Sequence, residues 1–494
     1  MKILLASLSI ESDSRVAHSP NGAYSLGLAY LQSFLEKDGH EVHLLFLNNF
    51  SHHIAEDRII KCIEEWQPQV VGFQIFSMNR TSTYKVIDKM KVLCPDTRVI
   101  LGGIHASVMY DQILKRYPHA IVVIGEGELT LSELVKAFEK HAPYNSIAGL
   151  AFFRDGKVVR TPERPLIEDL NVLSFPKHET FFEEESERTT AHIIASRGCP
   201  FNCSFCCLET ISHRKWRKRD VAKVVEELKI LKKKYPRLQY VQFHDDTFLL
   251  DNERVILFCK LAVEANMSLK FICSTRVKPI STEMFRWMKR AGFIKIMFGL
   301  ETGSSVLLES IHKNITPADV LHLFKLLSEF DFDVTTFFMC GFPGETDATI
   351  SETIALVRAT QKIYYNYIAG IGKLWVYPGT EVYQIMKAKG YIDDEFWMTE
   401  ASVPYFTAEH PFFELVKFEE RMMNELSIDR VFSLNGFKRQ IPYMWREILG
   451  YLAKHPRRLI AISVPRQVLN FFSNLGRKSR FFKPLDVLNR NMQR

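Results

Sequence analysis

No stretch of the 494 residues reaches the roughly 18 consecutive apolar residues that a membrane-spanning helix requires. The opening segment, Met1 to Ile10, turns polar early and has no small-residue cleavage pattern, so it reads as a first buried strand rather than a secretory signal. A cytoplasmic protein is expected, and no internal repeat or low-complexity tract marks a solenoid or a disordered chain. Cysteine is too sparse for a disulfide framework, with nine in the whole chain. Five of them, Cys62, Cys94, Cys259, Cys273 and Cys340, stand singly among apolar residues, as small core side chains do. Strong overall charge is also lacking. The formal +7 is concentrated at one end, where residues 438–494 hold 13 Lys or Arg against 2 Asp or Glu. The rest of the chain is therefore mildly acidic, and its length suits two or three domains.

What is present begins with strand and helix patterns in alternation over residues 1–142. Branched apolar runs at Ile3–Leu8, Val42–Leu47, Val70–Ile75, Val99–Leu101 and Ile121–Ile124 read as buried parallel strands. Helical periodicity falls between them at Ala23–Lys37, Ile54–Trp66, Tyr84–Leu93 and Thr130–Lys140. The pattern predicts a doubly wound, Rossmann-like α/β domain whose ligand site lies beyond the carboxyl ends of its strands. The segments expected at those ends are polar or glycine-rich: Ser77-Met-Asn79, then Gly102-Gly103-Ile-His105-Ala-Ser107, then Gly125-Glu126-Gly127-Glu128. Glycine admits a close backbone approach to a bulky ligand, and it equally serves a tight strand-to-helix corner.

Residues 143–188 read as a linker that carries a hairpin with Asp155-Gly156 at its tip. A second alternating series fills 189–385, with strands expected at His192–Ala195, Tyr240–Phe243, Leu269–Cys273, Ile296–Phe298, Val334–Met339 and Tyr367–Trp375. Six β/α units predict a partial (β/α)6 TIM-like barrel with its chemistry on the loops that follow the strands. Residues 386–494 read as a mostly helical, basic region.

The other four cysteines crowd into one loop after the first barrel strand, Cys199-Pro-Phe-Asn-Cys203-Ser-Phe-Cys206-Cys207. Gly198, Pro200 and Asn202 favour a tight loop over a helix. Most iron–sulfur clusters have four cysteine ligands. The C-x3-C-x2-C spacing supplies three and leaves one iron open. A structural zinc site is the alternative, with His213 as a nearby fourth ligand, although no second cysteine pair accompanies it.

The run from Arg197 to Cys206 resembles the signature of the radical S-adenosylmethionine superfamily. The first domain, with Gly102-Gly103-Ile-His105 and Gly125-Glu126, resembles the cobalamin-binding domain of its cobalamin-dependent branch, which includes class B methylases and the anaerobic cyclase of bacteriochlorophyll synthesis. The likeness covers residues 1 to about 385. It implies that Cys199, Cys203 and Cys206 bind a [4Fe–4S] cluster whose open iron chelates S-adenosylmethionine. Reductive cleavage then yields a 5′-deoxyadenosyl radical, which abstracts hydrogen from an unactivated carbon. It implies that Phe205, Asp245 and Asp246 lie beside that cofactor, and that Glu301 accepts hydrogen bonds from a ribose diol. Ser77, Gly102, Gly103, His105, Gly125 and Glu126 would line the cobalamin site, with no protein histidine on cobalt. Arg276 faces either the S-adenosylmethionine carboxylate or solvent.

The expected activity is methyl transfer through methylcobalamin, with a radical cyclase or rearrangement as the alternative and a non-catalytic zinc module as a third. The expected partners are a small-molecule or lipid substrate and an external electron donor, with no nucleic acid. The basic C-terminal region, which interleaves Lys and Arg with paired apolar residues, reads either as a solvated helical cap or as a peripheral membrane contact.

Overall fold

The computed structural model describes residues 1–10, 22–184, 188–364 and 366–431, and residues 1–426 form one compact unit. The basic stretch from Lys438 onward and the loop after the first strand lie outside the described residues.

Five branched apolar runs become the parallel strands β1 (Lys2–Ser7), β2 (Glu41–Phe46), β3 (Val70–Gln74), β4 (Arg98–Gly102) and β5 (Ile121–Val123). They are ordered β2-β1-β3-β4-β5, so the order of winding reverses between the parallel neighbours β1 and β3, the place where such a sheet opens a crevice at its carboxyl edge. The hairpin expected in the linker does not stand apart. Its strands, β6 (Leu150–Arg154) and β7 (Lys157–Arg160), pair antiparallel onto β5 and complete a seven-stranded sheet. The reason is burial: Leu150, Ala151 and Phe152 enter the first domain's core. Asp155 and Gly156 turn the hairpin with φ of 51° and 80°, the pair of positive angles that a two-residue turn needs.

The second series opens with β8 (Thr190–Ile193). A two-residue ladder follows between β9 (Ser196–Arg197) and β10 (Arg217–Lys218), and it closes the cysteine loop at its base. Then come β11 (Tyr240–Phe243), β12 (Lys270–Thr275), β13 (Phe293–Glu301), β14 (Asp333–Cys340) and β15 (Tyr367–Lys373). The six long strands are parallel and lie in chain order from β8 to β15, the arrangement of an open six-stranded barrel. Helices return the chain between them. One of these, Pro317–Leu327, starts on a Thr316/Asp319 capping box with proline in its first turn. Alternate strand residues face these helices, and Phe243, Phe258, Phe271 and Phe293 pack there with ring centroids 5.2–6.2 Å apart.

Past the barrel the described residues end at Val431. A short 3-10 turn at Asp394–Met398 precedes the helix Phe412–Val431. Trp397 in that turn is fully buried against the first domain, with the Arg80 guanidinium 5.0 Å from its ring and the Arg80 Nε donating to its carbonyl at 3.1 Å. A single aromatic anchor of this kind leaves no helical period in the sequence. One apolar core runs from Phe73, Leu101 and Ala106 of the first sheet to Leu307, Phe342 and Val376 at the carboxyl end of the barrel. The two strand-end faces are therefore packed toward each other.

Candidate cluster and cofactor site

The cysteine loop leaves β9 through Gly198, whose φ of 83° and contact with the Lys215 carbonyl leave no room for a Cβ. Ser204 N–H donates to the Ile311 carbonyl at 3.2 Å, and Cys206 N–H to the Cys203 carbonyl at 3.0 Å. Cys199 and Cys203 are half-buried and Cys206 is exposed, so none of the three residues is sealed in the core. Burial raises the Cys199 thiol, with Cys203 adding to the rise. The protein packed around the Cys206 thiol, joined by Cys207, Cys203 and Cys199, pushes it up to about 12. Arg276 is buried beside them, not on the surface. It donates to Cys203 Sγ at 3.3 Å, lies over the Phe201 ring at 3.8 Å and also reaches the Lys313 carbonyl. Its charge lowers the Cys199 thiol against the rise from burial, the direction that metal ligation requires. Among the described residues no three His, Cys, Asp or Glu side chains close onto a single ion. His213, the candidate fourth zinc ligand, pairs with Glu163 at 2.6 Å. A cubane, by contrast, spreads its thiolates over several metal centres.

The two carboxylates after β11 divide their tasks. Asp245 is buried and spent on the loop: its oxygens accept from Ala195 N–H at 2.8 Å and Ser196 Oγ at 2.5 Å. Burial holds its pKa up at about 6 against those bonds. It positions the cysteine strand, and both of its oxygens are engaged there. Asp246 accepts from Gly198 N–H at 3.0 Å through one oxygen, yet remains exposed beside Cys199.

Glu301 ends β13 with φ of 72°, where the register with β14 slips by a residue. One of its oxygens accepts from Lys313 Nζ at 2.7 Å, both side chains being buried. Gly299 provides the room, since a Cβ there would strike the Glu301 carboxylate. Ser304 stands at the next helix's N-cap without making a capping bond. Lys313 also sits 5.8 Å from the Phe205 ring, which itself lies 5.7 Å from Phe342. The Lys313 position carries no motif in sequence, and only the fold brings it beneath the cysteine loop.

On the first domain, Gly103 has φ of 90° and its absent Cβ would lie 2.8 Å from the Ile75 carbonyl. Gly125 has φ of 77° with nothing within 4 Å of its Cβ position, and Gly102 meets only the Val123 carbonyl at 3.9 Å. Adjacent strand ends thus lack side chains, a floor that fits a broad flat cofactor. His105 is not on a loop there. It lies in the helix Ile104–Arg116, buried, bonded to Ser77 Oγ at 2.9 Å and Tyr84 OH at 3.4 Å, with the Trp397 ring 5.5 Å away. Burial lowers its pKa to about 3, so it is a neutral core imidazole that also consumes Ser77. Glu126 is likewise engaged elsewhere. It accepts two bonds from Arg217 at 2.8 and 2.9 Å, one from Arg197 at 3.2 Å and one from Ile167 N–H at 3.2 Å. Arg197 also donates to Glu128 at 2.6 Å. These ion pairs tie the loop after β5 to the ladder that carries the cysteines.

A glycine-floored doubly wound domain set against a six-stranded parallel barrel with a three-cysteine loop is the architecture that the resemblance in sequence implies. Comparison with known proteins agrees: residues 193–357 match the radical SAM superfamily and residues 14–135 the B12 binding domain. The chain thus carries a radical SAM domain preceded by a B12 binding domain. It is 28% identical over 430 residues to an uncharacterized methyltransferase of Pyrococcus horikoshii, covering 86% of this chain and 90% of that protein. It is also 28% identical over 342 residues to the anaerobic magnesium-protoporphyrin IX monomethyl ester cyclase of Rubrivivax gelatinosus, covering 67% of this chain and 61% of the cyclase. Among solved structures, the cobalamin-dependent radical enzyme OxsB with aqua-cobalamin and S-adenosylmethionine bound superposes with a TM-score of 0.71 at 17% identity, covering 98% of this chain and 76% of that one. The cofactors are a [4Fe–4S] cluster, S-adenosylmethionine and cobalamin.

Proposed function

We propose that this enzyme transfers a methyl group to an unactivated carbon of a small-molecule substrate, with Cys199, Cys203 and Cys206 as the cluster ligands. The observation that carries this reading is the placement of three partly accessible cysteines at the carboxyl end of β8, in a loop ion-paired to the cobalamin-type domain. The bound groups supply reductive cleavage of a sulfonium and carriage of a methyl group, chemistry no side chain provides. The protein's share is positional. Asp245 and Asp246 fix the start of the cysteine loop through Ala195, Ser196 and Gly198. Arg276 keeps positive charge at Cys203. Glu301 offers its unpaired oxygen to a ribose diol, while Lys313 holds the other. Gly102, Gly103 and Gly125 leave cobalamin a surface free of side chains, whereas Ser77, His105 and Glu126 support it from within. The electron comes from an external donor. No helix among the described residues is long and apolar enough to cross a membrane, and the basic residues past Lys438 suit contact with an anionic surface, as a lipid substrate would require.

The test is anaerobic reconstitution followed by product mass. Four irons per chain, cleavage of S-adenosylmethionine and a gain of one methylene per turnover are expected. Radical cyclisation or rearrangement, favoured by the match to the cyclase, gives cleavage without the added methylene. Loss of iron binding in C203A with no loss in C207A separates the cluster ligands from their neighbour.

A further inference from the structure

The barrel strands show one packed face and one accessible face. Ala191, Val241, Cys273, Ile296 and Val334 belong to the packed face and are buried. The alternate positions form the other. In register with one another on it stand Ser274, Met297, Thr335 and Ile368, and one pleat further Gly299, Phe337 and Gly370. From that level to the strand ends the charge on this face is the Glu301–Lys313 ion pair over Gly299, whose two members neutralise each other. Phe337 and Ile368 are 45% and 47% exposed, unusual for large apolar side chains inside strands, and a Cβ at Gly372 would meet nothing within 4 Å. Away from that ion pair, Met297, Phe337 and Ile368 make an apolar stretch that leads to the cofactor end of the barrel.

Two histidines close its β8–β11 side. His192 Nε2 lies 3.2 Å from the Gly22 carbonyl, and its Nδ1 lies 2.7 Å from His244 Nε2. A carbonyl can only accept, so His192 carries its proton on Nε2. Burial holds its pKa down at about 3, which keeps it neutral and makes Nδ1 an acceptor. His244 must then donate through Nε2. The surrounding protein lowers the His244 pKa as well, so its remaining nitrogen, Nδ1, is an acceptor. No described residue donates to that nitrogen, and His244 is an exposed residue. It directly precedes Asp245 and Asp246, which hold the cysteine loop.

We propose that this face binds an uncharged, largely apolar substrate that donates one hydrogen bond, through a hydroxyl or N–H group, to Nδ1 of His244. The proposal rests on the radical-enzyme reading for its location and adds the substrate class. Phe337, Met297 and Ile368 enclose the apolar body, and the Gly22–His192–His244 relay fixes the direction of the single polar contact. An acceptor-only or anionic group placed there would face a lone pair, and a carboxylate would also lose its hydration.

The test uses three probes that share one ring system, 1-naphthol, 1-methoxynaphthalene and 1-naphthoate. Each is titrated by fluorescence into the anaerobically reconstituted full chain. 1-Naphthol is expected to bind about five-fold more tightly than the ether, the worth of one neutral hydrogen bond, and naphthoate more weakly than either. In H244F the naphthol preference disappears while the ether still binds, which also shows that the variant folds. F337D is expected to weaken both neutral probes at least ten-fold. Equal affinity for naphthol and ether, tightest binding of naphthoate, or an unchanged preference in H244F overturns the proposal. Cleavage of S-adenosylmethionine is measured in the same preparation. Its absence refutes the radical reading, whereas its presence without a naphthol preference refutes only the substrate class.

Discussion

Replacing Asp245 by asparagine tests the strap that holds the cysteine loop. The carboxylate is 4% exposed and accepts two hydrogen bonds, yet burial raises its pKa to about 6. An unfolded aspartate titrates near 3.9, so the shift is about two units and corresponds to about 3 kcal/mol. Its sign is destabilising. Between pH 4 and 6 the unfolded chain releases this proton before the native chain does, so the native state binds more protons and its stability falls as pH rises. Below pH 4 both forms are protonated and the penalty vanishes. Asparagine stays neutral throughout. Its lost acceptor costs about 1 kcal/mol, which does not vary with pH. The stability of D245N relative to the parent should therefore rise by about 3 kcal/mol between pH 4 and pH 7.5. Urea unfolding followed by tryptophan fluorescence on both proteins at the two pH values measures it. Parallel pH profiles would mean that Asp245 is ionised at little cost, and the argument from its burial would be wrong.

Removing the charge of Glu126 should strand Arg217, whose side chain is only 5% exposed, and cost about 3 kcal/mol in the denaturation midpoint. An E126Q protein as stable as the parent would show that the clamp contributes nothing. Gly103→Ala places a methyl group 2.8 Å from the Ile75 carbonyl at a φ of 90°. It should lose about 2 kcal/mol of stability and retain less cobalamin, read from the visible spectrum after reconstitution.

Both strand series were legible because parallel strands covered on their faces are written as branched apolar runs, and β1 to β5 and the six barrel strands follow those runs closely. The helix Ile104–Arg116 was hidden by its start: Gly103 and Ser107 look like loop residues, yet Ser107 N–H already donates back to the Gly103 carbonyl. His105 was drawn into the cofactor loop by that same error. The ion pairs of Glu126 were illegible for a different reason. Its partners, Arg197 and Arg217, lie 71 and 91 residues away, and no local pattern signals an ion pair that only docking creates. Arg276, left open between surface and site, was decided by the Phe201 ring and the Cys203 sulfur, both supplied by a distant loop. Lys313 and the His192–His244 pair stand in stretches without any motif. Their roles come from strand register, which a single sequence does not fix.

Arg197 grips Glu126 and Glu128 with its guanidinium while its own backbone leads straight into Gly198 and Cys199. A hinge along that seam would have to pull the sulfur-bearing loop with it. The cobalamin-type domain and the cysteine loop are therefore geared together, and neither can shift along this joint without the other.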